Sequence, residues 1–337
     1  MKVYRNIFEK IISIENLFSA WKEFKKGKQK KKDVMEFEFN LEENIFNLHR
    51  EFKSKTYKHG NYYGFYITDP KIRHIHKANV KDRVIHHAVY SVLNPIFEPT
   101  FIYDSYSCRK NKGTHKGVHR LERFLWKISK NNFKSCFIMK CDIRKFFESV
   151  NHNVLISIIE KRIKDENAIW LVKEVIQSFS PGLPIGNLTS QMFANIYLNE
   201  FDQFVKQEVK IPFYLRYTDD FIIIAESKEK LEYCLSKVSE FLSENLKMEL
   251  HPNKIIVRKY RQGIDFLGYV QFPHHRVLRT KTKRRIIQKI KQGITEQSLQ
   301  SYLGVLSHAN SYKLSQEIKN LFWFNKIKNP EDLRDSE

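Results

Sequence analysis

Three carboxylates stand where a sheet could bring them together. Asp142 closes a short apolar run, FKSCFIMKCDI, and Asp219 and Asp220 lie between two β-type runs in FYLRYTDDFIIIA. The first run suits a buried strand ending at Asp142, and the second reads as a hairpin with an acidic tip. Carboxylates packed side by side repel and raise one another's pKa unless divalent cations neutralise them. Two Mg²⁺ ions, with Mn²⁺ able to substitute, are the natural partners. Held about 3.5–4 Å apart, such a pair stabilises the attacking and leaving oxygens of an in-line phosphoryl transfer. The chemistry implied is nucleotidyl transfer. Taken singly, a helix cap at Asp142 and an ordinary turn at Asp219-Asp220 would explain these residues as well.

The elements that must position them follow from hydrophobic spacing. Residues 1–60 read as a helical extension, with Ile7, Ile11, Ile14 and Leu17/Phe18, then Leu41, Ile45, Leu48 and Phe52, at helical intervals. Between these runs lie six lysines in the eight residues Lys25 to Lys32, either a solvated linker or a phosphate-facing patch. Tyr/Phe/Ile alternation in NYYGFYITDPKIRHIH predicts strands with basic residues on one face, followed by a helix in DRVIHHAVYSVL. Phe146, Phe147, Val150, Val154 and Ile158 predict a helix directly after Asp142. The loop SPGLPIGNLTSQ is turned by its prolines and glycines, and Thr189 or Ser190 is expected to cap the helix that begins there. A further helix carries Leu231, Leu235, Val238 and Phe241/Leu242, HPNKIIV and GIDFLGYV read as strands, and the last 60 residues read as basic helices.

Composition agrees with a nucleic-acid partner. The 337 residues carry 59 Lys and Arg against 38 Asp and Glu, a net charge of +21, and a compact body with that excess calls for a polyanion. Hydrophobic residues at 42% and aromatics at 14%, with 11 Gly and 9 Pro, exclude a disordered or collagen-like chain. Cys108, Cys136, Cys141 and Cys234 lack CxxC spacing, so reduced and mostly buried thiols are expected rather than zinc or disulfides. No stretch approaches the ~18 apolar residues of a membrane span, so no membrane partner and a cytoplasmic location are expected.

The blocks CDIRKFF, SPGLPIGNLTSQ, RYTDDF, HPNK and GIDFLGY resemble, in order, the sequence blocks of reverse transcriptases, from about Tyr62 to about Tyr269. The resemblance implies an α+β right-hand polymerase fold. It divides into a helical extension (1–60), fingers and an antiparallel-sheet palm (61–275; fingers mainly 61–132 and 155–180, palm mainly 133–154 and 181–275), and a helical basic thumb (276–337). It also implies roles. Asp142 and Asp219 would bridge the metals, with Asp220 less demanding and the Ile143 carbonyl an added ligand. Phe147 falls where an aromatic blocks the ribose 2′-OH, Arg73 where an arginine clamps the incoming triphosphate, with Lys71 and Lys77 as substitutes. Lys254 would protonate the pyrophosphate leaving group, and Gly268 and Tyr269 would grip the primer end. The plain alternatives are a core Phe147, solvated Arg73 and Lys254, and an ordinary strand at 268–269.

One block departs from the common pattern. Most reverse transcriptases read Gln-Gly-x-x-x-Ser-Pro where this chain reads Ile185-Gly186-Asn187-Leu188-Thr189-Ser190-Gln191. Ile185 removes a polar contact beside the nascent pair, so fidelity should drop. The Ile-Gly-x-x-x-Ser-Gln variant is similar to the enzymes of diversity-generating retroelements. That similarity implies copying of a template RNA into cDNA from dNTPs, through an RNA–DNA hybrid, with errors opposite adenines and a small basic pentameric accessory protein as partner. Other bacterial reverse transcriptases, whether group II-like, retron-like, CRISPR-associated or of phage defence, and a non-catalytic RNA-binding scaffold are the alternatives. The stretch after Tyr269 is expected to be too short for a group II maturase region, and residues 167–171 read NAIWL rather than the retron signature.

Overall fold

The structure is a computed structural model that describes residues 2–69 and 71–328. Four helices open the chain: α1 (Phe8–Ile12), α2 (Ile14–Lys25), α3 (Lys32–Phe39) and α4 (Leu41–Lys53). Their apolar faces, including Ile11, Leu17, Phe24, Ile45 and Leu48, are fully buried, as the helical spacing predicts. The lysine run is neither a free linker nor a continuous patch. It spans the junction of α2 and α3, and Asp33 at its end pairs with Lys77 and Arg83 beyond. That contact ties the extension to the following hairpin, β1 (Tyr63–Ile67) and β2 (Arg73–Lys77), whose first strand is exposed throughout. Helix α5 (Val80–Phe97) follows, started by Asn79, whose side chain accepts from the Asp82 N–H at 2.8 Å.

After α6 (Thr114–Ile128) the chain enters β3 (Phe137–Asp142), then α7 (Phe146–Ser149) and α8 (His152–Glu160). The single helix expected after Asp142 is thus two. Val150 turns extended and Asn151 restarts the helix by accepting from the Val154 N–H, so a cap signal interrupts a continuous apolar period. Asp165 caps α9 (Glu166–Gln177) through Oδ1 and uses Oδ2 to accept from the Ile7 and Phe8 amides, fastening the extension to the body. Helix α10 (Leu188–Gln203) starts from Asn187; Thr189 and Ser190 lie buried within its first turn and do not cap it.

Next come β4 (Tyr214–Tyr217), β5 (Asp220–Ala225) and α11 (Lys228–Leu246), capped by Ser227. HPNK is not strand: Pro252–Lys254 forms a 3₁₀ turn before β6 (Ile256–Lys259), because proline favours the start of a turn and cannot donate to a ladder. These strands form an antiparallel sheet in the order β4-β5-β3-β6. A smaller sheet joins β7 (Ile264–Phe266), β8 (Tyr269–Gln271) and β9 (Arg276–Leu278), and helices α12 (Thr280–Lys291), α13 (Glu296–Leu306) and α14 (Tyr312–Lys328) follow.

Alternation along the central strands feeds two cores. Met139, Cys141, Phe221 and Ile223 face α5, α8, α10 and α11, whereas Ile138, Leu215, Ile222 and Ile224 share a core with α6, the small sheet and the C-terminal helices. Cys136, Cys141 and Cys234 are buried free thiols, but Cys108 is exposed. Among the described residues no helix is long and apolar enough to cross a membrane.

Candidate active site

Strand register brings the carboxylates together. Asp142, the last residue of β3, lies directly opposite Asp220, the first of β5, and Asp219 is the adjoining turn residue. The Ile143 amide donates to the Asp219 carbonyl at 3.3 Å, and the His251 amide donates to the Asp142 carbonyl at 2.8 Å. Ile143 itself is fully buried. The 3₁₀ turn at 252–254 then directs Lys254 back so that Nζ donates to Asp142 Oδ1 at 2.8 Å. Lys140, two residues before Asp142 and so on the same strand face, pairs with Asp220 at 3.6 Å. Period-2 spacing from Asp142 was the sequence signal for Lys140, which motif comparison passes over.

The site strains against its own charge. Burial, then the Asp142 charge, push the Asp219 carboxyl up to about 6, with Asp220 adding to the rise and Lys254 opposing it. Burial also raises Asp220, opposed by Lys140. Two lysines therefore balance three clustered carboxylates. Among the described residues no three His, Cys, Asp or Glu side chains form a ready cage. Mg²⁺ does not require one, since it binds through one or two carboxylates and completes its shell with water and phosphate oxygens. A hard-oxygen set in which the Asp219 and Asp220 carboxyls are raised fits such a cation, which would displace the lysine contacts.

The loop before α10 is bonded to both neighbours of the site. Leu183 donates its amide to the Phe147 carbonyl at 2.7 Å, and His152 meets the Gly182 carbonyl at 2.7 Å. A Cβ on Gly182 would lie 2.1 Å from that Phe147 oxygen, and its φ of +70° favours glycine in any case. Phe147 is half-buried while its neighbour Phe146 is in the core. Further along, the half-buried Ile185 accepts from the His76 amide of β2 at 2.9 Å, and Asn187 Nδ2 donates to the His76 carbonyl at 2.8 Å. Gly186, at φ +115°, leaves room for Ile75, whose Cγ2 would be 2.7 Å from an added Cβ. Gln191 is exposed on the first turn of α10. The Ile-Gly block is thus joined to the strand that carries Arg73.

A cleft of about 1060 Å³ opens beside Asp220, lined also by Lys71, Arg73, Gly268, Tyr269 and the basic face of α12. Arg73 and Lys71 are exposed in it, whereas Lys77 pairs with Asp33 at 2.7 Å. Gly268, at φ +91°, has open space around it. Tyr269 is buried and its hydroxyl donates to the Val305 carbonyl of α13 at 2.9 Å, so its ring joins the small sheet to the C-terminal helices. Across the cleft Asp69, beyond β1, faces Arg285 at 3.4 Å and Lys289 at 3.6 Å.

An antiparallel palm with paired carboxylates at the ends of its two central strands, basic strands on one side and a basic helical arm on the other define a right-hand nucleic-acid polymerase. The family pattern for reverse transcriptase (RNA-dependent DNA polymerase) matches residues 58–271, and the chain belongs to that family. Among curated relatives, Protein YkfC of Escherichia coli (strain K12) is 23% identical over 267 residues, 66% of this chain and 68% of that protein. The group II intron-encoded protein LtrA of Lactococcus lactis subsp. cremoris is 24% identical over 303 residues, 68% of this chain but 49% of that protein. The match thus spans about half of LtrA. A telomerase from Candida albicans, solved in complex with a TWJ fragment of telomeric RNA, shares the fold. Its TM-score is 0.52 at 11% identity, over 82% of this chain and 57% of that one. Reverse transcriptases are RNA-directed DNA polymerases and generally use divalent metal ions.

Proposed function

We propose that this chain copies an RNA template into DNA by two-metal nucleotidyl transfer, and that it serves a diversity-generating retroelement by erring at template adenines. The observation that supports the chemistry best is the register that sets Asp142 against Asp220 with Asp219 alongside. Asp142, Asp219 and Asp220, with the Ile143 carbonyl, are the residues to hold Mg²⁺, which when bound would activate the primer 3′ hydroxyl and offset charge on the triphosphate. Arg73 and Lys71 receive the triphosphate, for which a forked guanidinium is suited. Phe147 excludes the ribose 2′-OH by packing. Lys254, released from Asp142, would donate a proton to the leaving pyrophosphate. Gly268 and Tyr269 line the side where the primer end would rest.

Support for the error-prone reading is Ile185, an aliphatic side chain where most of the family has glutamine, on a loop hydrogen-bonded to β2. The partners in this reading are the template RNA, its hybrid with cDNA, dNTPs and a small basic pentameric accessory protein. The test is sequencing of cDNA made on a defined RNA by the chain with and without such an accessory protein. Misincorporation concentrated opposite adenine, and lowered by Ile185→Gln, is the expected result. An even error spectrum unchanged by that substitution would favour a second reading, a group II-like reverse transcriptase, which the intron-encoded relatives support. Failure to make any Mg²⁺-dependent product would favour the RNA-binding scaffold.

A further inference from the structure

The turn that carries the carboxylates has an unfavourable backbone, and an ion pair remote from the cleft holds it. Tyr217 pairs with Asp220, which leaves Thr218 and Asp219 as a two-residue hairpin loop. Thr218 has φ +54°. Hairpins of this length place glycine, asparagine or aspartate at positive φ, and a β-branched residue there is an outlier.

What opposes its relaxation is visible in the contacts. Arg216 is 1% exposed and its guanidinium donates from Nη1 to the Thr218 carbonyl at 3.0 Å. The rest of the fork is anchored: Nε donates to Asp202 Oδ1 at 2.8 Å, and Nη2 donates to Asp202 Oδ2 at 2.6 Å and to Ser105 Oγ at 3.2 Å. Asp202, fully buried in the last turn of α10, also accepts from the Tyr214 hydroxyl at 2.6 Å. On the other side of the turn the Thr218 hydroxyl donates to Ser107 Oγ at 2.6 Å, and the Ser107 carbonyl accepts from Asn195 of α10 at 3.0 Å. Both grips on Thr218 therefore lead to one helix.

A buried ion pair is a poor source of stability, because apolar residues of similar volume often serve as well or better. Here one arm of the fork reaches past its partner to the strained carbonyl. We propose that Arg216, seated on Asp202, is a positioning residue that sets the Thr218 turn, so that Asp219 and Asp220 face Asp142 with the spacing a divalent cation needs. This deepens the polymerase reading and rests on it. Lysine cannot replace the fork, since one ammonium cannot span both carboxylate oxygens and the carbonyl.

The test uses the full chain and Mn²⁺ alone as probe, with binding read by electron paramagnetic resonance, folding by circular dichroism, and primer extension alongside. The triple variant Arg216→Met, Asp202→Leu, Tyr214→Phe removes the ion pair with the hydroxyl it would strand. It is expected to remain folded, to bind Mn²⁺ about tenfold more weakly, as loss of supporting contacts around metal ligands does, and to bind RNA–DNA hybrid as the parent does. Adding Thr218→Gly, which tolerates positive φ unaided, is expected to recover most of the Mn²⁺ affinity. Parent-like Mn²⁺ binding by the folded triple variant would overturn the proposal. Should that variant fail to fold, Arg216→Lys decides: it keeps the charge beside Asp202 but loses the fork that reaches the Thr218 carbonyl, is expected to weaken Mn²⁺ binding several-fold, and parent-like binding would again overturn the proposal. A parent that binds Mn²⁺ yet extends no primer refutes the polymerase reading and leaves the positioning comparison standing; a parent that binds no Mn²⁺ overturns both.

Discussion

Asp219 is the residue on which charge, stability and chemistry meet. Its carboxyl is raised from 3.8 to about 6 by burial and by Asp142. A carboxyl raised on folding favours the folded state fully below its unfolded pKa, and that contribution is lost as pH rises through the folded value. The cation-free chain is therefore expected to lose stability between about pH 4 and pH 6 on this account. Asp219→Asn is expected to melt higher than the parent at pH 7.5, by about 1–2 kcal/mol for a half-buried group, with the difference vanishing near pH 4. Melting curves across that range, with and without Mg²⁺, check this, and Mg²⁺ should stabilise the parent alone. Phe147 carries a second expectation at this scale: Phe147→Ala should raise ribonucleotide incorporation by about 10–100-fold, as opening one packing contact does. Steady-state kinetics with paired rNTP and dNTP measure it. The convergence of the two carboxylate blocks was legible because type and order carry the signal. Lys140 was not picked out, and Arg216 and Asp202 were not, because their meaning lies in contacts between β4 and α10 that no local spacing encodes.

At the scale of elements, the loop between α9 and α10 does more than connect. It fastens to Phe147 on one side and to β2 on the other, so it ties Phe147 to the strand that carries Arg73. Gly182→Ala would force a Cβ against the Phe147 carbonyl at positive φ. We expect a stability loss of about 1–3 kcal/mol together with weakened discrimination against rNTPs, whereas a change confined to stability would show that the loop does not position Phe147 for that discrimination. Thermal melting and incorporation assays on the same preparation separate the two. Helices and strands were largely readable from apolar period. The failures have one cause: capping and proline chemistry cut across that period, as at Asn151, which splits α7 from α8, and at Pro252, which turns HPNK and so returns Lys254 to Asp142. Thr189 and Ser190 fall inside the helix rather than at its cap because Asn187, two residues before Thr189, is drawn onto β2 by its bond to the His76 carbonyl.

Across the whole molecule, the net charge of +21 is focused by a cleft whose far wall is the basic face of α12. Affinity for an RNA–DNA hybrid should therefore fall steeply with salt and little with sequence. Asp69, set against Arg285 and Lys289, occupies part of the face that phosphates would use. Asp69→Ala is expected to tighten hybrid binding by about two- to fivefold, the scale of an exposed ion pair; fluorescence anisotropy at fixed salt would show it. The fold class was recognisable in advance from the ordered blocks. The sharing of one core by α6, the small sheet and the C-terminal helices was not, because alternation marks two faces for each strand and cannot say which elements cover them.

The convergence of Asp142, Asp219 and Asp220 on one catalytic centre is tested most directly by anomalous scattering from Mn²⁺. The crystals would hold the chain with a primed RNA and a non-hydrolysable dNTP. Two peaks about 3.5–4 Å apart, within coordination distance of Asp142 and Asp219 and of the triphosphate, are expected. Peaks elsewhere in the molecule, or none beside these carboxylates, would contradict the account.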